Sequence, residues 1–289
     1  MARGITMAGK PGLKFDEIGY WSEVKLAIIK EYATAYSQIL TGQKKHRLAH
    51  VYVDAFAGAG AHISKATGEM VPGSPLNALA IQPPFKEYHL IDLDGAKVDN
   101  LRSHAGTRSD VSIHEGDCNE VLLKTVFPRI LYENFRRGLC LLDPYGLTLR
   151  WEVVKRAGKM KSIEIFLNFP IMDINRNALW SAPAGVAKED ADRMTSFWGD
   201  ESWKTAAYAD QPTLFGGVDP IKHGGNERIV QAYQRRLKKV AGFKFVPDPM
   251  PMRNTKGAIV YYLFFASQND TGTKIVKSIF HKYRTKGAT

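Results

Sequence analysis

Residues 48–60 read LAHVYVDAFAGAG. From Leu48 to Val53 the stretch is mostly apolar for the length of a strand, Asp54 falls at its end, and the chain then turns through Phe56, Gly58 and Gly60. A strand ending in an acid and a glycine turn is how an open parallel sheet receives a nucleotide-type cofactor, because glycine lets a ligand approach the backbone closely. The same glycines also suit a sharp bend, so the turn alone does not name a cofactor.

The surrounding pattern predicts an α/β fold. Upstream, Trp21, Val24, Ile28, Tyr32, Tyr36 and Ile39 recur at three- and four-residue steps, the period of an amphipathic helix. Downstream, a loop rich in Gly, Ala and Ser reaches Gly73-Ser74-Pro75, where Ser74 suits a helix N-cap and Pro75 a first turn. Further strands are read at Glu87 to Leu93, Val111 to His114, Leu139 to Leu142 and Ser162 to Asn168. Helices separate them, one with Val98 and Leu101 toward the sheet and one from Asn119 to Tyr132. This alternation predicts a doubly wound, mostly parallel sheet.

Past Pro170 the pattern changes. Residues 175–225, with Trp180, Trp198 and Trp203, read as a helical insertion without a clear strand. A basic helix (Glu227 to Val240), a strand (Phe243 to Val246), a Pro-rich turn, a strong strand (Ala258 to Ala266) and a helix (Thr273 to Tyr283) follow. The expected organisation is a flexible leader over residues 1–14, one α/β domain built from 15–174 and 226–289, and the insertion between.

The composition of the 289 residues, 44% hydrophobic and 11% aromatic, is that of a globular protein. No apolar run reaches the roughly 20 residues of a membrane helix, and the leader lacks a signal-peptide core, so a cytoplasmic location is expected. Two cysteines, Cys118 and Cys140, without a CxxC or Cys/His cluster, argue against a disulfide framework or a structural zinc. A formal charge of +11 either favours polyanions or is ordinary solubility charge, and composition alone does not separate the two.

Ligands of open α/β sheets bind beyond the carboxyl ends of the strands, and acids recur at those places. Asp54 ends the first strand, Asp92 and Asp94 the second, Asp117 the third and Asp143 the fourth. Asp94, just ahead of Gly95 and a helix, reads as a helix cap. Asp92 can accept both ribose hydroxyls and Asp117 an adenine amine. A dinucleotide fingerprint would need glycine where Ile63 stands, and no Gly-Lys-Ser/Thr of a Walker loop follows. S-adenosylmethionine fits better, since it has no pyrophosphate to cradle.

The set DAFAGAG, GSP, LIDLD, GD and LLDPYG resembles the class I S-adenosylmethionine-dependent methyltransferases. The motif order, with Tyr20-Trp21 and Lys25-Leu26 ahead of the glycines, Asn168 to Pro170 ending a strand and a C-terminal strand like Tyr261 to Ser267, is similar to the three-Cys-motif partner proteins. The resemblance implies a Rossmann-like methyltransferase fold with an antiparallel C-terminal strand, and a partner protein bearing a three-cysteine motif. It also implies that Lys25 reaches the cofactor. Asp143-Pro144-Tyr145-Gly146 resembles the Asp-Pro-Pro-Tyr box of adenine amino-group methyltransferases, with one proline missing and the aromatic a residue early. By that resemblance Asp143 and the Pro144 carbonyl hold the amine, and Tyr145 or Phe169 stacks on the base.

Basic residues with interleaved aromatics can track phosphates and stack bases. Such stretches are Arg235-Arg236-Leu237-Lys238-Lys239 with Tyr233, and Lys274, Lys277, His281, Lys282, Arg284 and Lys286 with Phe280 and Tyr283. The expected site is therefore Asp143, Pro144 and Tyr145 for catalysis, and Asp54, Phe56, Gly58, Gly60, Asp92, Asp117 and Cys118 for the cofactor. Phe169, Lys274 and Lys277 are assigned to a nucleic-acid substrate, and no metal is expected. His62, in the loop after the glycines, is read either as approaching the substrate or as a solvated loop residue, and the three tryptophans as insertion core or as walls of a base pocket. Two alternatives stay open: a methyltransferase-fold partner protein without activity, and an enzyme acting on protein or a small molecule.

Overall fold

The computed structural model describes residues 15–43, 48–181, 183–212 and 218–286, so the expected leader lies outside the described residues. In chain order the elements run β1 (Glu17–Ile18), α1 (Tyr20–Thr41), β2 (Ala49–Asp54), β3 (Ala61–Ser64), β4 (Met70–Pro72), α2 (Ser74–Leu79), β5 (Glu87–Asp92), α3 (Gly95–Ala105) and β6 (Val111–Glu115). They continue through α4 (Cys118–Val121), β7 (Arg136–Leu142), α5 (Trp151–Met160), β8 (Ile163–Phe169), α6 (Ile171–Asn177), α7 (Lys188–Trp198) and α8 (Ser202–Ala207). The last are β9 (Tyr208–Pro212), β10 (Val218–Lys222), α9 (Asn226–Lys239), β11 (Met250–Arg253), β12 (Ile259–Ala266) and α10 (Asp270–Lys286).

Seven strands form the main sheet in the order β11-β12-β8-β7-β2-β5-β6. The pairs from β8 to β6 are parallel, while β12 runs antiparallel between β8 and β11. This is the expected Rossmann-like α/β sheet with its antiparallel C-terminal strand. The inner strands can be apolar on both faces because helices cover both. Val51, Val53, Cys140, Leu142, Ile165 and Leu167 pack toward α5 and the helices after β8. Tyr52, Leu139, Leu141, Phe166 and Leu263 pack toward α1, α2, α3 and α10. Burying each large apolar side chain contributes about 1.5–3 kcal/mol, so two full layers account for the sheet's hold on its helices.

Several sequence expectations are corrected. The loop after the glycines is a small sheet in which β3 pairs antiparallel with β4 and parallel with β1. Gly73, not Ser74, is the N-cap of α2; Ser74 is the first residue of the helix and lines the cleft described below. The helix read from Asn119 to Tyr132 is α4 followed by a π turn (Leu122–Val126) and a 3-10 turn (Phe127–Arg129). Pro128 lacks the N–H that a regular α-helical ladder would require there. Phe243 to Val246 forms only one bridge, Phe245 with Ser267. The edge strand is instead β11, inside the Pro-rich segment, where Pro251 is tolerated because an edge leaves one side of the ladder unpaired. Residues 175–225 are mainly helical but also hold the antiparallel ribbon β9–β10.

Among the described residues no helix is long and apolar enough to cross a membrane, and no group of three or more His, Cys, Asp or Glu side chains is arranged to hold a metal.

Candidate active site

The parallel strands deliver their carboxyl ends to one edge, where the turns leaving β2 and β7, the end of β8 and the start of α1 line a cleft, and the β5 turn is tied to the β2 turn through Asp92. The β2 turn is shaped by Gly58 and Gly60, whose φ angles of 62° and 88° are in the left-handed region. At Gly58 nothing lies within 4 Å of where a Cβ would stand, and the residue lines the cleft. A ligand can therefore lie against its backbone. At Gly60 a Cβ would come 3.2 Å from Leu101, so this glycine serves packing. Gly58 N–H donates to Asp92 Oδ2 at 2.7 Å, and Asp94 N–H donates to Asp92 Oδ1 at 2.9 Å. Both oxygens of Asp92 are thereby oriented, each with a lone pair left. Beside it Leu93 is 75% exposed, an apolar surface suited to a planar ring.

Asp54 lies beneath this turn. It is wholly buried and accepts from Phe56 N–H at 3.3 Å and the Tyr52 hydroxyl at 3.4 Å. Burial pushes its carboxyl up to about 7, against the opposing bonds from Ser74 and Phe56. Asp54 thus supports the glycine turn from below.

The cleft has a volume of about 400 Å³. At its centre Lys25, from α1, forms an ion pair with Asp143. The Asn168 side-chain amide donates to Asp143 Oδ1 at 2.9 Å from the end of β8. Burial alone would lower the Lys25 ammonium, but Asp143 and the Tyr261 hydroxyl outweigh it and hold the pKa above its ordinary value. The Lys25 Nζ also stands 5.3 Å from the Tyr261 ring centroid. Two buried atoms of the lining, Asn168 Oδ1 and His62 Nδ1, have no hydrogen-bond partner among the described residues. His62 is on β3 rather than in a solvated loop, and burial, then Lys25, lower its pKa.

Tyr145 lies over the mouth, 64% exposed. Its hydroxyl donates to Asp16 Oδ2 at 3.2 Å, and Lys97 Nζ bonds the same oxygen at 3.1 Å while standing 5.7 Å from the Tyr145 ring. Asp16, Glu17 and Ile18 form one wall, held by the β1–β3 pairing. Asp94 caps α3, as its position predicts. Asp117 caps α4 by accepting from Asn119 N–H at 3.0 Å, and stays half exposed at the strand edge.

Other sequence-predicted residues are not brought here. Phe169 is fully buried against Tyr233, Phe197 and Phe264 and offers no face to a substrate. The Cys118 side chain belongs to the core, where burial pushes its thiol up to about 12. Lys274 and Lys277 lie in the first turns of α10, which begins at the opposite edge of the sheet, and Lys274 pairs with Asp270. Tyr233 and Phe280 are core residues, and the Tyr283 hydroxyl donates to Glu31 at 3.3 Å. Arg236 is spent on Asp200 and on the Trp151 and Trp198 rings. Trp198 and Trp203 are buried, and Trp180 is half exposed. Sequence reasoning missed Asp16, Lys97 and Leu93, and did not see Asn168 as a partner of Asp143. The Asn168-Phe169-Pro170 motif is the one signal that could have found it.

No protein-family model matches the chain, and no curated protein does. Among solved structures it is similar to a Legionella pneumophila protein of the DUF519 family, with 11% identity over 90% of this chain and 92% of that one, at a TM-score of 0.51. It is also similar to a putative methyltransferase from Thermobifida fusca, at 12% identity, 84% and 81% coverage and a TM-score of 0.39. An S-adenosylmethionine-dependent methyltransferase from Mesorhizobium loti aligns at 12% identity, 81% and 97% coverage and a TM-score of 0.34. At these identities the likeness is one of fold, the Rossmann-like α/β sheet already described.

Proposed function

We propose that this chain is an S-adenosylmethionine-dependent methyltransferase acting on an exocyclic amino group of a nucleic-acid base, with adenine N6 favoured. The observation that carries the reading is the Asp143-Pro144-Tyr145 turn in the cleft, with Asp143 held by Asn168 and Lys25 beside an open glycine turn. The residues fit the cofactor: Gly58 leaves space for close backbone approach, Asp92 is oriented for ribose hydroxyls, and Leu93 offers an apolar face. When bound, S-adenosylmethionine supplies a methyl group on a sulfonium, open to in-line displacement.

The chain's own part is then positioning. Asp143 and the Pro144 carbonyl accept hydrogen bonds from the target amine and turn its lone pair toward the cofactor side. Asn168 and Lys25 fix the Asp143 carboxylate, and Asn168 Oδ1 offers a further acceptor beside it. Tyr145, exposed at the mouth, takes the base face in place of the buried Phe169. The charge of +11 supports a polyanionic substrate, and a base within a duplex would have to be flipped out to reach the cleft.

Calorimetry with S-adenosylhomocysteine, followed by tritiated methyl transfer to RNA, DNA and protein fractions, tests the reading. The expected result is binding that Asp92→Ala abolishes and label in a nucleic-acid fraction. No binding by folded protein would sink it, and label in protein alone would move the acceptor. The Lys25–Asp143 ion pair in a shortened box favours a second reading, a partner protein without catalysis, bound to nucleic acid or to a three-cysteine-motif protein. Methyl transfer that disappears in Asp143→Ala would exclude it.

A further inference from the structure

A second cavity, of about 770 Å³, is at the other edge of the sheet. Arg137 at the start of β7, Glu164 at the start of β8, and Gln268 to Gly272 after β12 border it, with the last turns of α1 opposite. Small-molecule sites occupy roughly 300–1,000 Å³, so the space suits a small organic ligand. It shares no lining residue with the Asp143 cleft.

Three cations line it: Arg137, Lys161 and Lys244. None of them has an ion-pair partner among the described residues. The two lining acids are otherwise engaged. Asp270 pairs with Lys274, while Glu164 accepts from Tyr32 and from Ser267 Oγ at 2.8 Å, with burial raising its pKa. Arg137 is preset: its guanidinium stacks 3.6 Å from the Tyr132 ring centroid, and Nη1 donates to the carbonyls of Arg136 and Tyr132 at 2.8 and 3.2 Å. Its Nε and Nη2 make no hydrogen bond among the described residues.

A second observation points to a ligand. Tyr36 is 8% exposed and lines the cavity, yet its hydroxyl makes no hydrogen bond among the described residues. Its ring is fixed by stacking on Phe85, at 6.0 Å and 16°. The hydroxyl opens to the cavity and is free to bond a polar ligand group. Leu40, Leu48 and Ile275 give the walls an apolar character that suits a flat ring rather than a bare inorganic ion.

We propose that this cavity binds an organic phosphate of nucleoside-monophosphate size, its phosphate held by Arg137, Lys161 and Lys244 and its ring lying against the apolar wall near Tyr36. The site is independent of the methyl-donor cleft and does not rest on the methyltransferase reading.

Calorimetry of the full chain with adenosine monophosphate, adenosine and inorganic phosphate tests this. The expected result is saturable binding of the nucleotide, at least about tenfold tighter than either fragment, since only the nucleotide joins ring and charge. Lys244→Ala, an exposed position that folding tolerates, and Tyr36→Phe are each expected to weaken it about tenfold. Saturating S-adenosylhomocysteine is expected to leave the affinity unchanged. No saturable nucleotide binding up to roughly 1 mM, displacement by S-adenosylhomocysteine, or unchanged affinity in both variants would overturn the proposal.

Discussion

At the carboxyl edge of the sheet the chain presents Asp92 and Asp143 beside an open glycine turn, with Asp117 at the next strand end; at the opposite edge it presents Arg137, Lys161 and Lys244 around a cavity. The two places share supports. Helix α1 sends Lys25 to the first and Tyr32 and Tyr36 to the second, and β8 sends Asn168 to the first and Glu164 to the second. Four strand residues span about 13 Å, so one rigid strand fixes both sites. The contrast in charge follows from strand direction. Carboxyl ends of parallel strands lead into helix N-termini, where Asp94 and Asp117 cap α3 and α4. The other edge receives helix C-termini, where cations are favoured, as with Lys159 in the last turn of α5 and Lys161 at its C-cap.

The strongest way to break this comparison is to remove the centre of the acidic edge. Asp143→Ala is expected to lower methyl transfer by about 10³-fold, the scale of losing a transition-state hydrogen-bonding group, with little change in S-adenosylhomocysteine affinity measured by calorimetry. Lys244→Ala is expected to leave transfer unchanged; an equal loss in both would mean that the two edges form one functional unit. Next in size, Phe169→Ala is expected to cost roughly 3–5 kcal/mol in urea denaturation, because the ring fills the core rather than the cleft. A stable protein with impaired substrate binding would restore the stacking role read from the sequence.

Asp54 sharpens the comparison through pH. Its folded pKa, about 7, is raised above the 3.8 of a free side chain. The folded state therefore holds that proton more tightly. This contribution to stability is fully present below about pH 4, is lost as pH rises through 7, and amounts to at most about 4 kcal/mol. Asp54→Asn, compared with wild type by denaturation at pH 5 and pH 8, is expected to flatten that part of the profile. An identical pH dependence would show that Asp54 is ionised throughout. The smallest expected effect is at Tyr145, where Ala substitution should raise KM for a nucleic-acid substrate about tenfold, the scale of one base-stacking contact, without changing stability.

Much of the proposed donor half of the site was legible. Gly58 and Asp92, like the supporting Asp54, come at strand ends, and strand ends are local events announced by apolar runs followed by Asp, Gly and Pro. The proposed acceptor half was legible only in part. Asp143 and Tyr145 were visible, but their partners Lys25, Asn168 and Asp16 lie 118, 25 and 129 residues away in sequence. The aromatics misread as base platforms failed for one reason. Phe169, Tyr233 and Phe280 follow the same periodicity whether a face meets a base or a core, and burial decides between them.

The sequence by itself determined the alternation of strands and helices, the sheet class, and which edge carries acids, because hydrophobic period and turn residues act over a few positions. Only the tertiary structure decided that Asp54 is a buried prop, that Lys25 and Asn168 lock Asp143, and that three cations and Tyr36 line one cavity at the far edge. Those facts depend on which helix crosses which strand end, and that is set by packing between residues far apart in the chain.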